Sequence, residues 1–139
     1  MIAVDTNILI YSLDRHDLVK WAKACNLLRQ LHAPPSSTLL LWQVMGEFMR
    51  YLRSLQDKGQ ISRTVFERHV RVYRALFPMT IPTPNVLDRA LDLSGRYSLS
   101  HWDSMLLGAC LEAGVDTLYT EDMGARAQFD SVRLVNPFV

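Results

Sequence analysis

Four acidic residues, Asp5, Glu47, Asp103 and Asp122, occupy positions where a carboxylate can do chemistry. None stands in an evident ion pair with a sequence neighbour. Carboxylates gathered without cations repel one another, so some take up protons unless a hard cation holds them. A donor set made only of oxygens selects Mg²⁺ or Mn²⁺ over zinc. Mg²⁺ held by a few carboxylates keeps several waters and recruits substrate phosphates. One or two such ions lower the pKa of a bound water, orient it in line and neutralise charge on the leaving oxygen. The reaction class that follows is phosphodiester hydrolysis.

The elements that must position these acids can be read from apolar spacing. Ile2-Ala3-Val4 is a short unbroken apolar run, expected of a strand buried on both faces, and Asp5 stands at its carboxyl end. In open parallel α/β sheets that edge is where ligands bind. Thr6 and Asn7 follow as N-caps for Ile8 to Tyr11. A helix is expected over 14–32, capped by Asp14 or Asp17 and stopped by Ala33-Pro34-Pro35. A short strand is expected over 36–39. The next helix, about 40–56, carries Leu40, Val44, Phe48, Tyr51 and Leu55 as an apolar stripe. Glu47 falls inside that stripe, where a carboxylate needs compensation. Ser62 caps a further helix to Phe77, with Val65, Phe66, His69, Val72, Tyr73 and Leu76 inward.

A third strand is expected within 78–82, and Thr83-Pro84 opens a helix whose core side is Val86, Leu87, Ala90, Leu91, Leu93 and Ser94. Ser100-His101-Trp102-Asp103 opens a helix that is apolar on almost all sides and therefore central. Ser100 and Asp103 resemble a capping box, a role compatible with aiming the carboxylate into a site. Gly108 permits close backbone approach, and Gly114 is a left-handed C-cap. Asp116 to Thr120 is a fourth strand, with Glu121 and Asp122 at its carboxyl end. By alternation Asp122 and Thr120 face the same way. Val132 to Val135 is the last strand.

Across 139 residues, 49% hydrophobic and 21% charged content describes a globular chain, expected to form one domain over 1–139. No apolar run is long enough for a membrane span and no secretory leader is evident, so a cytoplasmic, membrane-free protein is expected. Cys25 and Cys110 sit far apart in helical patterns, which fits reduced thiols better than a disulfide or zinc site. His69 has no cysteine or second histidine at ligand spacing and reads as a packing residue. The net charge of +1 hides an asymmetry. Residues 50–74 hold seven basic residues (Arg50, Arg53, Lys58, Arg63, Arg68, Arg71, Arg74) against Asp57 and Glu67, a local +5 on a body of −4. The helical hairpin over this region can contact phosphates, positioning a substrate without reading its sequence. Arg50, Arg53, Arg68 and Arg71 are the residues expected to do so.

The opening Val4-Asp5-Thr6-Asn7, the mid-chain Glu47, Leu99-Ser100-His101-Trp102-Asp103-Ser104, and Thr117-Leu118-Tyr119-Thr120-Glu121-Asp122-Met123 together resemble the PIN domain, in order and over essentially the whole chain. The size and the Thr-Glu-Asp-Met ending are similar to the VapC toxins of toxin–antitoxin pairs. The resemblance implies a three-layer α/β/α fold with a mostly parallel sheet of about four to five strands and a protruding helical hairpin. It implies an endoribonuclease dependent on Mg²⁺ or Mn²⁺, a homodimer, and a cognate VapB-like antitoxin that blocks the acidic pocket. Carried over by residue, Asp5, Glu47, Asp103 and Asp122 are the metal-binding carboxylates. Thr6, Asn7, Thr120 and Glu121 flank and orient them. The departure from the family pattern is Glu121 beside Asp122, and Asp122 is favoured as the ligand.

Two other function classes compete. One is a PIN-like module that has lost catalysis and binds RNA or protein; four retained acids argue against it. The other is a phosphomonoesterase with the first-strand Asp as nucleophile. That chemistry wants a second Asp two residues on, and Asn7 occupies the position.

Overall fold

Ile2–Val4 forms strand β1, and the computed structural model, which describes residues 1–139, places it inside the sheet. Ala3 and Val4 have 0% and 1% of their surface exposed, as an apolar run covered on both faces requires. β1 lies between β2 (Thr38–Leu41) and β4 (Thr117–Tyr119), parallel to both. β3 (Met79–Thr80) adds parallel to β2, and β6 (Val132–Val135) adds parallel to β4. β5 (Gln128–Phe129) pairs antiparallel with β6 at the edge.

Each crossover carries two helices. These are α1 (Thr6–Tyr11) and α2 (Leu18–His32) from β1 to β2, and α3 (Trp42–Asp57) and α4 (Arg63–Leu76) from β2 to β3. The third crossover, α5 (Asn85–Arg96) and α6 (His101–Glu112), leads from β3 to β4.

The sheet order β3-β2-β1-β4-β6-β5 means that the chain builds outward from β1 to β3, then returns past β1 to lay down β4. Right-handed crossovers running in opposite directions place their helices on opposite faces. The helix contacts divide the same way: α1 touches α2 and α3, α3 touches α4, and α5 pairs with α6. The order reverses between β1 and β4, and a crevice opens there at the strands' carboxyl ends. α1 and α3 begin at that edge because each follows a strand. α6 begins there because it runs back before β4.

Several elements depart from the sequence reading. The N-cap of α1 is Asp5, so Thr6 and Asn7 lie inside the helix and are not its caps. α2 starts at Leu18 under Asp17, while Asp14 accepts hydrogen bonds from His16. β2 runs two residues further than expected, and α3 starts at Trp42 with no side-chain cap. The registers Ile2 with Thr38 and Leu41 with Thr80 explain the shift, because pairing on both sides claims Leu40 and Leu41 for the sheet. The sheet has six strands, against the four to five expected, since the two-residue β5 is too short to leave a pattern. Thr83 does not cap α5; its hydroxyl points to Glu112. Leu87 and Leu91 on α5 and Val72 on α4, expected inward, are 54%, 72% and 50% exposed.

One apolar cluster of 25 buried residues joins sheet and helices. Phe66, Tyr73 and Phe77 belong to it, so α4 lies back against the body and does not stand away from it. Its inner face is further fixed by the Tyr73 hydroxyl bonding Ser12. Cys110 is in the same core, and both cysteines are free thiols. No helix is long and apolar enough to cross a membrane.

Gly108 is where α5 and α6 meet most closely. A methyl group there would lie 2.9 Å from the Val86 carbonyl oxygen and 3.2 Å from the Ala90 nitrogen, both backbone atoms that cannot rotate away. Gly108→Ala should therefore lower unfolding stability by about 1–3 kcal/mol, read from urea denaturation, despite alanine's better helix propensity. A stabilised variant would show that the α5–α6 contact is looser than drawn.

Candidate active site

Asp5 sits at the turn from β1 into α1, with only 9% of its surface exposed. One carboxylate oxygen accepts the Thr6 backbone N–H at 2.7 Å and caps the helix; the other accepts the Thr120 hydroxyl at 2.7 Å. Burial pushes the Asp5 carboxyl above the usual carboxylate range. The Thr120 and Thr6 hydrogen bonds oppose the rise, and the charges of Glu47 and Asp122 add to it.

Glu47 reaches the same place from the first half of α3. Its Oε2 accepts the Thr6 hydroxyl at 2.8 Å and its Oε1 accepts the Gln43 side-chain amide at 2.8 Å. The apolar stripe does not bury it: Glu47 is exposed, while Val44 and Phe48 beside it are at 0%. The 100° step between successive helix residues turns it out of the core and toward the crevice.

Asp122 arrives from the loop after β4. Its backbone N–H donates to the Thr120 hydroxyl at 3.1 Å, and its Oδ2 accepts the Asn7 amide at 3.2 Å. Asp103 stands in the first turn of α6, where Ser100 Oγ accepts the Asp103 N–H at 3.2 Å. The Asp103 carboxylate makes no hydrogen bond, and none of the four acids forms an ion pair.

All four line one open cleft of about 740 Å³ with Thr6, Asn7, Gln43, Tyr51, Ser54 and Trp102. Arg50 is the single cation among its lining residues. Thr120 is a shared strut, donating to Asp5 and accepting from Asp122. Of the expected phosphate-binding arginines, only Arg50 faces the cleft. Arg53 pairs with Asp57 at 3.3 Å and Arg71 with Glu67 at 3.8 Å, each on its own helix, while Arg68 is exposed.

Glu121 is turned away from the cleft. It pairs with Lys20, whose ammonium also lies 4.7 Å over the Tyr11 ring. Its position is that of a brace between α2 and the β4 loop. Glu121→Gln should then leave the site's chemistry within a few-fold of the parent and lower stability by roughly 1 kcal/mol or less, as for a partly exposed pair. A loss matching that of Asp122→Asn would place Glu121 among the working acids instead.

The side chains fit a hard divalent cation. The donors are all carboxylate oxygens, they are unpaired by lysine or arginine, and Asn7 Oδ1 is buried in the cleft wall without any hydrogen-bond partner. No three acidic, histidine or cysteine side chains close into a ready-made cage. That openness suits an ion that keeps much of its water, as Mg²⁺ does. Asp5, Glu47, Asp103 and Asp122 would hold it.

Gln43 and Trp102 were not singled out by the sequence reading. Gln43 had a signal, standing four residues before Glu47 and hence beside it on a helix. Trp102 had none beyond preceding Asp103.

The architecture is shared with solved structures. A toxin–antitoxin complex from Klebsiella pneumoniae superposes with a TM-score of 0.67 at 20% identity, covering 99% of this chain and 98% of that one. VapBC2 from Rickettsia felis, bound to a DNA fragment from its promoter, gives 0.73 at 13% identity over 98% of both chains. Mycobacterium tuberculosis VapC20, a Sarcin-Ricin loop cleaving toxin, gives 0.65 at 16% identity over 88% of this chain and 90% of that one. No curated protein sequence gives a significant match. The PIN domain family model matches residues 2–128. With the fold, the switch-point cleft and nearly the whole length of the sequence in agreement, this chain belongs to the PIN domain family.

Proposed function

We propose that the chain is an endoribonuclease dependent on Mg²⁺ or Mn²⁺, the toxin half of a toxin–antitoxin pair, acting in the cytoplasm as a homodimer. The observation that carries the reading is the convergence of Asp5, Glu47, Asp103 and Asp122 on one cleft with no lysine or arginine paired to any of them. The toxin role draws on the neighbours named above, two of which are toxin–antitoxin complexes and one a toxin that cleaves an RNA loop. The partner on this reading is a VapB-like antitoxin covering the acidic cleft.

The chain's own contributions can be stated residue by residue. The four acids bind and space the cation. Thr6, Thr120, Asn7 and Gln43 fix the orientation of Glu47, Asp5 and Asp122 through the hydrogen bonds described. Arg50 offers a phosphate contact inside the cleft, and Arg68 on α4 offers one outside it. When bound, the cation supplies a lowered pKa for water and charge neutralisation at the leaving oxygen. The deciding experiment is incubation of purified chain with total cellular RNA in Mg²⁺, Mn²⁺ or EDTA. Discrete fragments that require the metal support the reading. A folded, antitoxin-free protein that cleaves nothing would transfer it to a non-catalytic binding module.

Neutralising Arg68 and Arg71 together should weaken RNA binding and flatten its dependence on salt. Two lost contacts to single-stranded RNA correspond to a log–log slope shallower by about 1.4. Arg71 already shares its charge with Glu67, so most of the change should come from Arg68. Filter binding between low and physiological salt measures it, and an unchanged slope would remove this face from the RNA path.

A further inference from the structure

We infer that Trp102 is a stacking platform for an unpaired nucleobase beside the bond that is cut, held in register with the acidic site by Gln43. This rests on the nuclease reading and extends it to how the substrate is seated.

Trp102 is 61% exposed, yet it lines the same cleft as the four acids. An exposed tryptophan contributes little to the core, and here its large apolar ring stands in water directly next to Asp103. Its position is rigid. It lies in the first turn of α6, which Ser100 caps, and its carbonyl accepts the Gln43 amide at 3.2 Å. The same Gln43 nitrogen donates to Glu47 at 2.8 Å. One side chain therefore ties the ring's backbone on α6 to a carboxylate on α3. His101 packs edge-on against the indole with centroids 4.6 Å apart, leaving the ring supported from one side.

The cleft's other lining groups supply charge and hydrogen bonds: Arg50 for a phosphate, with Ser54, Tyr51 and Asn7 as polar partners. Trp102 supplies what they lack, a broad π-face. A base turned out of a single strand can stack on such a face whatever its identity, and a base inside a duplex cannot. The platform therefore selects for single-stranded context, without selecting sequence. Trp42 is a useful contrast: it is equally exposed at 59% but lines a separate apolar groove with Ile81 and Pro82.

The test uses full-length protein carrying Asp5→Asn, so that RNA is not consumed, and a fluorescein-labelled mixed-sequence 12-nucleotide RNA, single-stranded or as its duplex. Trp102→Ala should weaken single-strand binding about tenfold or more, Trp102→Phe should restore most of it, and duplex binding should be unmoved. Trp42→Ala should have no effect. In a Trp21→Phe, Trp42→Phe background, single-stranded RNA should quench the remaining Trp102 emission. Unchanged affinity in Trp102→Ala, or no quenching, overturns the platform while the parent's metal-dependent cleavage of total RNA leaves the nuclease reading standing. If Trp102→Ala instead shifts the sedimentation coefficient with RNA affinity intact, the ring is a protein contact and the proposal falls. A parent that neither binds nor cleaves RNA removes both readings together.

Discussion

Asp5→Asn should reduce metal-dependent RNA cleavage by on the order of a thousandfold or more while leaving the fold intact and its melting temperature unlowered. The two halves of that result have one cause. Asparagine has nearly the shape of aspartate and can still cap α1 at Thr6. Thr120 can accept from the new amide, because its hydroxyl rotates and its oxygen has lone pairs to spare. What disappears is a negative charge that burial, Glu47 and Asp122 all disfavour. Folding raises the Asp5 pKa, so its ionised form is held at a loss near neutral pH. The native state therefore gains stability as pH falls through the raised native pKa, and the gain is complete below the unfolded value of about 3.9. Asparagine escapes this dependence, so the variant's advantage should be largest near neutral pH and shrink in acid.

The same charge is what makes the site attractive to a cation. Adding Mg²⁺ or Mn²⁺ at a hundred times its dissociation constant should stabilise the parent by about 2.7 kcal/mol, and the effect should largely vanish in Asp5→Asn. Thermal melts with and without EDTA measure both. An Asp5→Asn protein that melts far below the parent in EDTA would make Asp5 a structural cap first, and the loss of cleavage would then say little about catalysis.

How much of this arrangement was legible depends on what kind of signal each residue leaves. Asp5, Asp103 and Asp122 could be found because each stands at an element boundary, and boundaries are marked by apolar runs ending and caps beginning. The fold put all three at one sheet edge because the strand order reverses between β1 and β4. Glu47 was found for a partly mistaken reason. Its place between Val44 and Tyr51 suggested burial, whereas the helix turns it out into the cleft and Thr6 and Gln43 hold it there. Glu121 and Asp122 could not be fully separated by sequence, since neighbours in a loop carry no periodicity. Lys20, more than a hundred positions away in the chain, pairs with Glu121 on the other side of the loop. Helix starts failed where tertiary pairing overrode local preference: Leu40 and Leu41 suit a helix, but β1 and β3 on either side bring them into strand β2. The exposed faces of α4 and α5 misled in the opposite direction, because periodicity shows that a stripe exists without showing what covers it.

The largest expected stability effect belongs to Phe48. It follows Glu47 on α3, is fully buried, and its ring lies 4.7 Å from Tyr73 and 6.5 Å from Tyr51. Through Tyr73, which bonds Ser12 at the end of α1, it joins α3, α4 and α1 at one point. Phe48→Ala removes the transfer energy of a large ring and leaves a hole between helices that the sheet behind them keeps from closing. Such a change typically lowers stability by about 3–5 kcal/mol. Set against a total of roughly 5–15 kcal/mol, that is a large share, and the melting temperature should fall by about 10–20 °C.

The site should respond differently. Glu47 is anchored by Thr6 and Gln43, not by Phe48, so protein still folded at low temperature should cleave RNA within a few-fold of the parent. Met49→Ala, one residue further on and 39% exposed, should cost under about 1 kcal/mol and serves as the matched control. Urea denaturation beside cleavage assays at low temperature separates the two effects. A Phe48→Ala shift no larger than that of Met49→Ala would mean that α4 is not held through this contact. Cleavage lost in step with stability would mean that the core under α3, and not the hydrogen bonds above it, sets the position of Glu47.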